Sequence, residues 1–154
     1  MTNPWLLDVN VLLGWLWPTH ETHKAAQIWM QNHRQEPWAT CPVTEMGFLR
    51  IVTNRSFSPH APGWAEAVKI LRKHTEGSPN HSFWQDSLTL AEVDLRLGRR
   101  IKGPNQITDA YLLTMAVHHK GRLVTFDYRT QSLAPKGSEE HDALVILRLD
   151  SRPC

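Results

Sequence analysis

The stretch Trp5-Leu6-Leu7-Asp8-Val9-Asn10-Val11-Leu12-Leu13 is an apolar run interrupted by one carboxylate and one amide. A short continuous run such as Trp5–Val9, bounded by polar residues, reads as a buried strand that ends at a carboxylate. Asn10 is then expected to cap a helix running to Trp17 and stopped by Pro18. The whole apolar-looking stretch, Trp5 to Trp17, covers 13 residues. A membrane-spanning helix needs roughly 18–20, so none is expected here. No basic segment precedes the run, so no signal peptide is expected either.

Working outward, the same kind of strand recurs at Trp38–Cys41, His81–Trp84, Leu123–Phe126 and Leu144–Leu147. Between these runs lie segments of helical period. One is expected from about Glu21 to Asn32, with Ala25, Ile28, Trp29 and Asn32 on one face. Another starts at Pro42 and runs to Thr53, with Met46, Leu49, Arg50 and Thr53 in register. Further helices are expected at Trp64–His74, closed by Gly77, and at Leu88–Leu97. The strongest signal is Ile107–His119, with Ile107, Ala110, Leu113, Ala116 and Val117 inward and Gly121 at its end. Apolar strands alternating with amphipathic helices predict an α/β fold. Its centre is a parallel sheet of four to five short strands, flanked on both faces by helices in an α/β/α arrangement.

Composition agrees with that prediction. The chain has 154 residues, 41% hydrophobic and 21% charged, with 7 Trp, enough to build a core. No repeat, low-complexity tract or long linker divides it, so one domain over residues 1–154, with its core at about 4–150, is expected. Two cysteines, Cys41 and Cys154, make no disulfide framework, and the chain reads as reduced and cytoplasmic. Its formal net charge is +2, but residues 96–136 hold eight bases against Asp109 and Asp127, a local +6. A basic segment around isolated acids suits a phosphate-bearing partner, and equally a solvated basic face.

Of the fifteen acids, four sit in apolar surroundings: Asp8, Glu45, Asp109 and Asp127. Asp8 and Asp127 end predicted strands, while Glu45 and Asp109 fall in the first turns of predicted helices. In a parallel sheet those positions share one edge, the edge where open α/β sheets bind ligands. Carboxylates crowded there would raise one another's pKa unless a cation joined them. An all-oxygen set suits Mg²⁺ or Mn²⁺, which lowers the pKa of a water and holds a phosphate oxygen. The plainer reading is that Asp8 caps a helix and Asp109 favours a helix dipole.

At these residues the sequence resembles the PIN-domain ribonucleases, in particular the VapC-type toxins of toxin–antitoxin pairs. The likeness rests on Leu6-Leu7-Asp8-Val9-Asn10-Val11-Leu12-Leu13, on Thr44-Glu45 with Phe48-Leu49-Arg50, on Asn105 through Leu113, and on Leu123-Val124-Thr125-Phe126-Asp127. It implies a PIN-like α/β/α domain and metal-dependent endonucleolytic cleavage of RNA by an activated water, the substrate being structured RNA such as tRNA. It also implies inhibition by a small antitoxin protein and homodimerisation. By the same resemblance Asp8, Glu45, Asp109 and Asp127 fall on the catalytic and metal-holding positions. Asn10 and Thr125 fall on polar positions that hydrogen-bond to the ligands. Arg99, Arg100, Lys102 and Arg129 are the bases expected to hold the RNA backbone, with Arg50 and Arg55 behind them. A weakly catalytic RNA-binding or regulatory module, or a solitary nuclease without an antitoxin, is the alternative.

Other signals carry less. The nine histidines include His20-x-x-His23 and His118-His119, which lack the partners of a zinc site. Trp15, Trp17, Trp29, Trp64 and Trp84 are expected in the core or a dimer interface rather than stacked on bases. Cys41 is expected to be a small core residue. Asn10 stands where a phosphoaspartyl phosphatase would need a second Asp, and no acidic pair accompanies Asp8 as a phospho-receiver would require.

Overall fold

A computed structural model describes residues 3–149, so Cys154 and the terminal residues of the expected domain lie outside the described part. Five strands alternate with seven helices: β1 (Trp5–Leu7), α1 (Val9–Leu16), α2 (His23–Asn32), β2 (Trp38–Thr40), α3 (Pro42–Val52), α4 (Trp64–Thr75), β3 (His81–Phe83), α5 (Leu90–Leu97), α6 (Ile107–His118), β4 (Arg122–Thr125), α7 (Glu139–Asp142) and β5 (Leu144–Ile146). Short 3₁₀ turns cover Gly98–Arg100, Pro104–Gln106 and Tyr128–Leu133. All five strands are parallel, in the order β3-β2-β1-β4-β5.

The strands are only three or four residues long, yet β1 is buried on both faces. Alternation divides its residues between two cores. Leu6 and Leu123 pack with α5 and the buried residues of α6. Trp5, Leu7 and Val124 pack on the opposite face with side chains of α1, α3 and α4. Helices thus cover both faces, as a parallel sheet requires.

The turn from β1 into α1 has no loop. Asp8 keeps extended backbone, with φ −65° and ψ 160°, and its side chain accepts the Val9 amide at 2.7 Å. Asp8, and not the expected Asn10, is therefore the helix cap. Asn10 already lies inside α1, and its amide is turned toward β4. Helix α3 starts on Cys41, buried as expected, whose backbone amide is held by Thr44 Oγ1 at 3.0 Å. Its inward face is Thr44, Phe48, Leu49 and Val52; Met46 and Arg50 point outward, so the expected register was off by part of a turn. A Cβ on Gly47 would lie 2.4 Å from Val9 Cγ2, so only glycine permits this close crossing of α1 and α3.

Three smaller expectations change. Helix α2 begins at His23, and Ala25, Ala26 and Met30 are its buried residues. Helix α6 buries seven consecutive residues, Ala110–Ala116, because it lies between the sheet and α5; Ile107 is exposed. At its end Lys120 takes the left-handed backbone conformation (φ 55°). Gly121 is needed there for space, since a Cβ would lie 2.5 Å from the Pro4 carbonyl oxygen. Trp84 is buried as expected, whereas Trp64 is 66% exposed.

Candidate active site

The strand order reverses at β1. The chain builds outward through β2 and β3, then returns to the other side of β1 for β4 and β5. Diverging connections open a crevice at the carboxyl ends of β1 and β4, where open α/β sheets place their sites. Asp8 follows β1, and Asp127 follows β4. Glu45 and Asp109 lie in the first turns of α3 and α6. All four acids therefore sit at the edge where the sequence put them.

Asp8 is buried and fully engaged. Its Oδ1 accepts from the Val9 amide, and its Oδ2 accepts from Thr125 Oγ1 at 2.7 Å. The Thr125 hydroxyl in turn accepts from Asn10 Nδ2 at 3.0 Å and from the Asp127 amide at 3.1 Å. Asn10 Oδ1 accepts the Phe126 amide at 3.1 Å. One hydroxyl thus gives its proton to Asp8 and receives two others, tying both strand ends together without an unmade bond.

Three of the acids share an electrostatic field. Burial pushes the Asp8 carboxyl above its usual range, the hydrogen bonds from Thr125 and Val9 oppose this, and the charge on Asp127 adds to the rise. Burial, then the charges of Asp8 and Asp127, push Asp109 up to about 6. Asp127 goes the other way. Arg129 Nε and Nη2 donate to its two oxygens, each at 2.9 Å, and hold it below the usual range. Glu45 stands apart from this field: burial raises it, and a 3.2 Å hydrogen bond from Thr40 Oγ1 opposes the rise.

The arrangement fits a divalent cation by its donor chemistry. The carboxylates of Asp8 and Asp109 repel, and a dication among them removes that cost. Among the described residues, however, no three Asp, Glu, His or Cys side chains already close around a common point. Two of the four acids are engaged by other side chains, Asp127 by Arg129 and Glu45 by Thr40.

The hydrogen bond to Glu45 exposes a residue that the sequence reading missed. Thr40 Oγ1 lies 2.8 Å from His81 Nε2. When Glu45 is ionised the hydroxyl gives its only proton to that carboxylate and accepts from its other neighbour, which calls for a proton on His81 Nε2. Burial lowers the His81 pKa, which favours the neutral ring. No motif signals this pairing, because Thr40 and His81 meet only when β2 and β3 lie side by side.

The bases divide. Arg96 and Arg100 reach the buried Glu140, at 2.9 and 3.2 Å, and Arg100 also donates to the Leu133 carbonyl. Burial alone would raise Glu140, but its own backbone amide and the two guanidinium groups hold it below its usual range. Arg100 is thereby committed to an internal clamp, contrary to its expected role on RNA. Arg129 is committed to Asp127. Arg99 and Lys102 are exposed and have no acidic partner among the described residues. They lie in the segment leading into α6 and Asp109. Arg50 and Arg55 are likewise exposed. Beside Asp127 a groove of about 1210 Å³ runs toward β5, with Asn10, Tyr128, Arg129 and Lys136 among its lining. No helix among the described residues is long and apolar enough to cross a membrane.

Comparison with known proteins agrees with this geometry. The PIN domain family model matches residues 5–136. Ribonuclease VapC44 of Mycobacterium tuberculosis is 36% identical over 144 residues, covering 91% of this chain and 98% of that protein. Ribonuclease VapC39 is 37% identical over 135 residues, covering 88% and 96%. Ribonuclease VapC38 is 40% identical over 129 residues, covering 84% and 89%.

Proposed function

The chain belongs to the PIN-domain family, and on that premise we propose that it is a VapC-type endoribonuclease, the toxin of a type II toxin–antitoxin pair. The observation that carries this reading is the gathering of Asp8, Asp109 and Asp127 at the point where the strand order reverses, close enough that the charges of Asp8 and Asp127 raise Asp109 and that of Asp127 raises Asp8. Buried, repelling carboxylates are costly in a fold that has no use for them. Relatives named as ribonucleases, matched over nearly their whole length, supply the reaction class.

Asp8, Asp109 and Glu45 would hold Mg²⁺ or Mn²⁺, with Asp127 joining them once Arg129 lets go. When bound, such an ion would acidify the attacking water and stabilise charge on the phosphate oxygens. The chain's own groups do the rest. Thr125 and the Val9 amide hold the two Asp8 oxygens and favour its charged form, opposing a burial that still raises its pKa, and Asn10 holds Thr125 in place. Thr40, backed by His81, aims Glu45. Arg99 and Lys102 are the bases placed to receive the phosphate backbone, joined by Arg129 when it leaves Asp127.

The substrate we propose is structured RNA such as tRNA. The proposed partners are a small antitoxin protein and a second copy of the chain, with the site of action in the cytoplasm. These follow from the family resemblance. The test of the core reading is direct. Purified protein with Mn²⁺ should cut RNA internally, EDTA should stop it, and Asp8→Asn or Asp109→Asn should lose cleavage while remaining folded. Undiminished cleavage by both variants would overturn the reading. A short upstream reading frame whose product co-purifies with the chain would support the antitoxin partner.

A further inference from the structure

Among the described residues, eight large apolar side chains are strongly exposed, and four of them stand around the acids. Tyr128, 71% exposed, directly follows Asp127; Met46, 53% exposed, directly follows Glu45. Ile107, 46% exposed, opens α6 two residues before Asp109. Phe83, 50% exposed, is the last residue of β3, in register with Thr40. Single exposed apolar residues are ordinary. Four of them, each close in sequence or strand register to the acids or to Thr40, gather at the carboxyl edge of one sheet, here called the rim.

We propose that this rim is a stacking platform for unpaired nucleobases, with Tyr128 and Phe83 as the aromatic plates on either side of the acids. Strands lie about 4.8 Å apart. With β2 and β1 between them, β3 and β4 are three spacings apart, or about 14 Å. Phe83 ends β3 and Tyr128 follows β4, so the two rings stand at the same carboxyl edge, beyond strands that flank β2 and β1. Charge favours a nucleic acid over a protein as occupant: residues 96–136 carry a net +6, exposed Arg99 and Lys102 lie in the segment that leads into Ile107, and Arg129 directly follows Tyr128. A base stacked on an aromatic ring must leave its helix, so the surface selects loops, bulges and single strands over duplex.

This inference rests on the ribonuclease reading, and its test separates the two. Binding is measured in EDTA, without cleavage, by titrating protein into a single-stranded oligonucleotide carrying 2-aminopurine and into a duplex of equal length. The wild type should prefer the single strand and quench the fluorophore. Tyr128→Ala and Phe83→Ala should each weaken single-strand binding by about 5- to 150-fold, the range for one lost base stack. Their affinity for the duplex should stay unchanged. Tyr128→Phe should restore both affinity and quenching, whereas Tyr128→Leu, apolar but not aromatic, should not.

Equal affinity of all four variants for the single strand would overturn the platform. So would loss of self-association without loss of RNA binding, which would make the rim a protein interface. If the wild type neither binds nor cuts any RNA, the ribonuclease reading fails first. If it cuts normally while the rim variants bind like wild type, only the platform fails.

Discussion

The Thr125 hydroxyl donates to Asp8 Oδ2 at 2.7 Å across 117 residues of sequence, in a buried site. It also receives the amides of Asn10 and Asp127, so a single oxygen joins the ends of β1 and β4. Thr125→Val keeps the shape and deletes all three bonds. Leaving buried polar groups unmatched costs about 1–3 kcal/mol, and a thermal melt should show it. Cleavage should fall more than folding explains, because Asp8 loses a bond that favours its charged form. Thr125→Ser should restore both; cleavage unchanged in Thr125→Val would remove this residue from the site.

Asp109 makes the metal-free protein sensitive to pH. Its carboxyl is raised to about 6 in the fold, against 3.8 unfolded. Between those values the native state binds more protons than the unfolded state, so this group's contribution to stability falls as pH rises through the window. Asp109→Asn should therefore melt with the wild type near pH 4 and above it at pH 7.5. A change of 1 kcal/mol would shift the melt by about 2–4 °C in a chain of this size. Adding Mn²⁺ at pH 7.5 should raise the wild type more than the variant. Equal gains in both would take Asp109 out of the metal site.

Arg100 and Lys102 should separate cleanly. Arg100→Ala leaves Glu140 buried with half of its cationic partners, so the melting temperature should drop while RNA affinity of the folded protein holds. Lys102→Ala should do the reverse, weakening RNA binding and flattening its salt dependence. The clamp also has a pH sign. Glu140 is held below its usual pKa, so its contribution is present at neutral pH and lost as pH falls through the folded value. The stability cost of Arg100→Ala should therefore shrink toward pH 3. A cost that stayed constant would show that Glu140 is not the partner that matters.

His81 should be neutral at pH 7 with its proton on Nε2, a tautomer that nitrogen chemical shifts read directly. Thr40→Val removes the acceptor and should free the tautomer balance. A wild-type ring protonated only on Nδ1 would contradict the hydrogen-bond direction from Thr40 to Glu45.

Much of this was written along the chain. Each strand is a short apolar run, and two of them end on the acids, so sheet, edge and carboxylates could be read together. What escaped was whatever depends on a neighbour distant in sequence. Asn10 looks like a helix cap because its sequence neighbours are all the sequence offers; its true partners are on β4. Nothing in Ser138-Glu139-Glu140-His141 marks Glu140 for burial, which appears only once α5 and the segment after it bring Arg96 and Arg100 over it. Met46 seemed inward by period, but α3 turns Thr44, Phe48, Leu49 and Val52 to the core and passes close to Val9 at Gly47.

The position of β1 between β2 and β4 has a consequence in time. A ribosome releases the chain from its amino end, so β1, β2 and β3 can associate while β4 is still unmade. Until Arg122–Thr125 emerges, one edge of β1 stays open, and Asp8 has neither Thr125 nor Asp127 beside it. An unpaired parallel edge attracts chaperones or other strands. The edge that holds Asp8 is therefore completed only after residues 122–127 have been synthesised. Ribosome-arrested chains ending before residue 122 should be inactive and protease-sensitive around β1, and activity in such chains would refute that order.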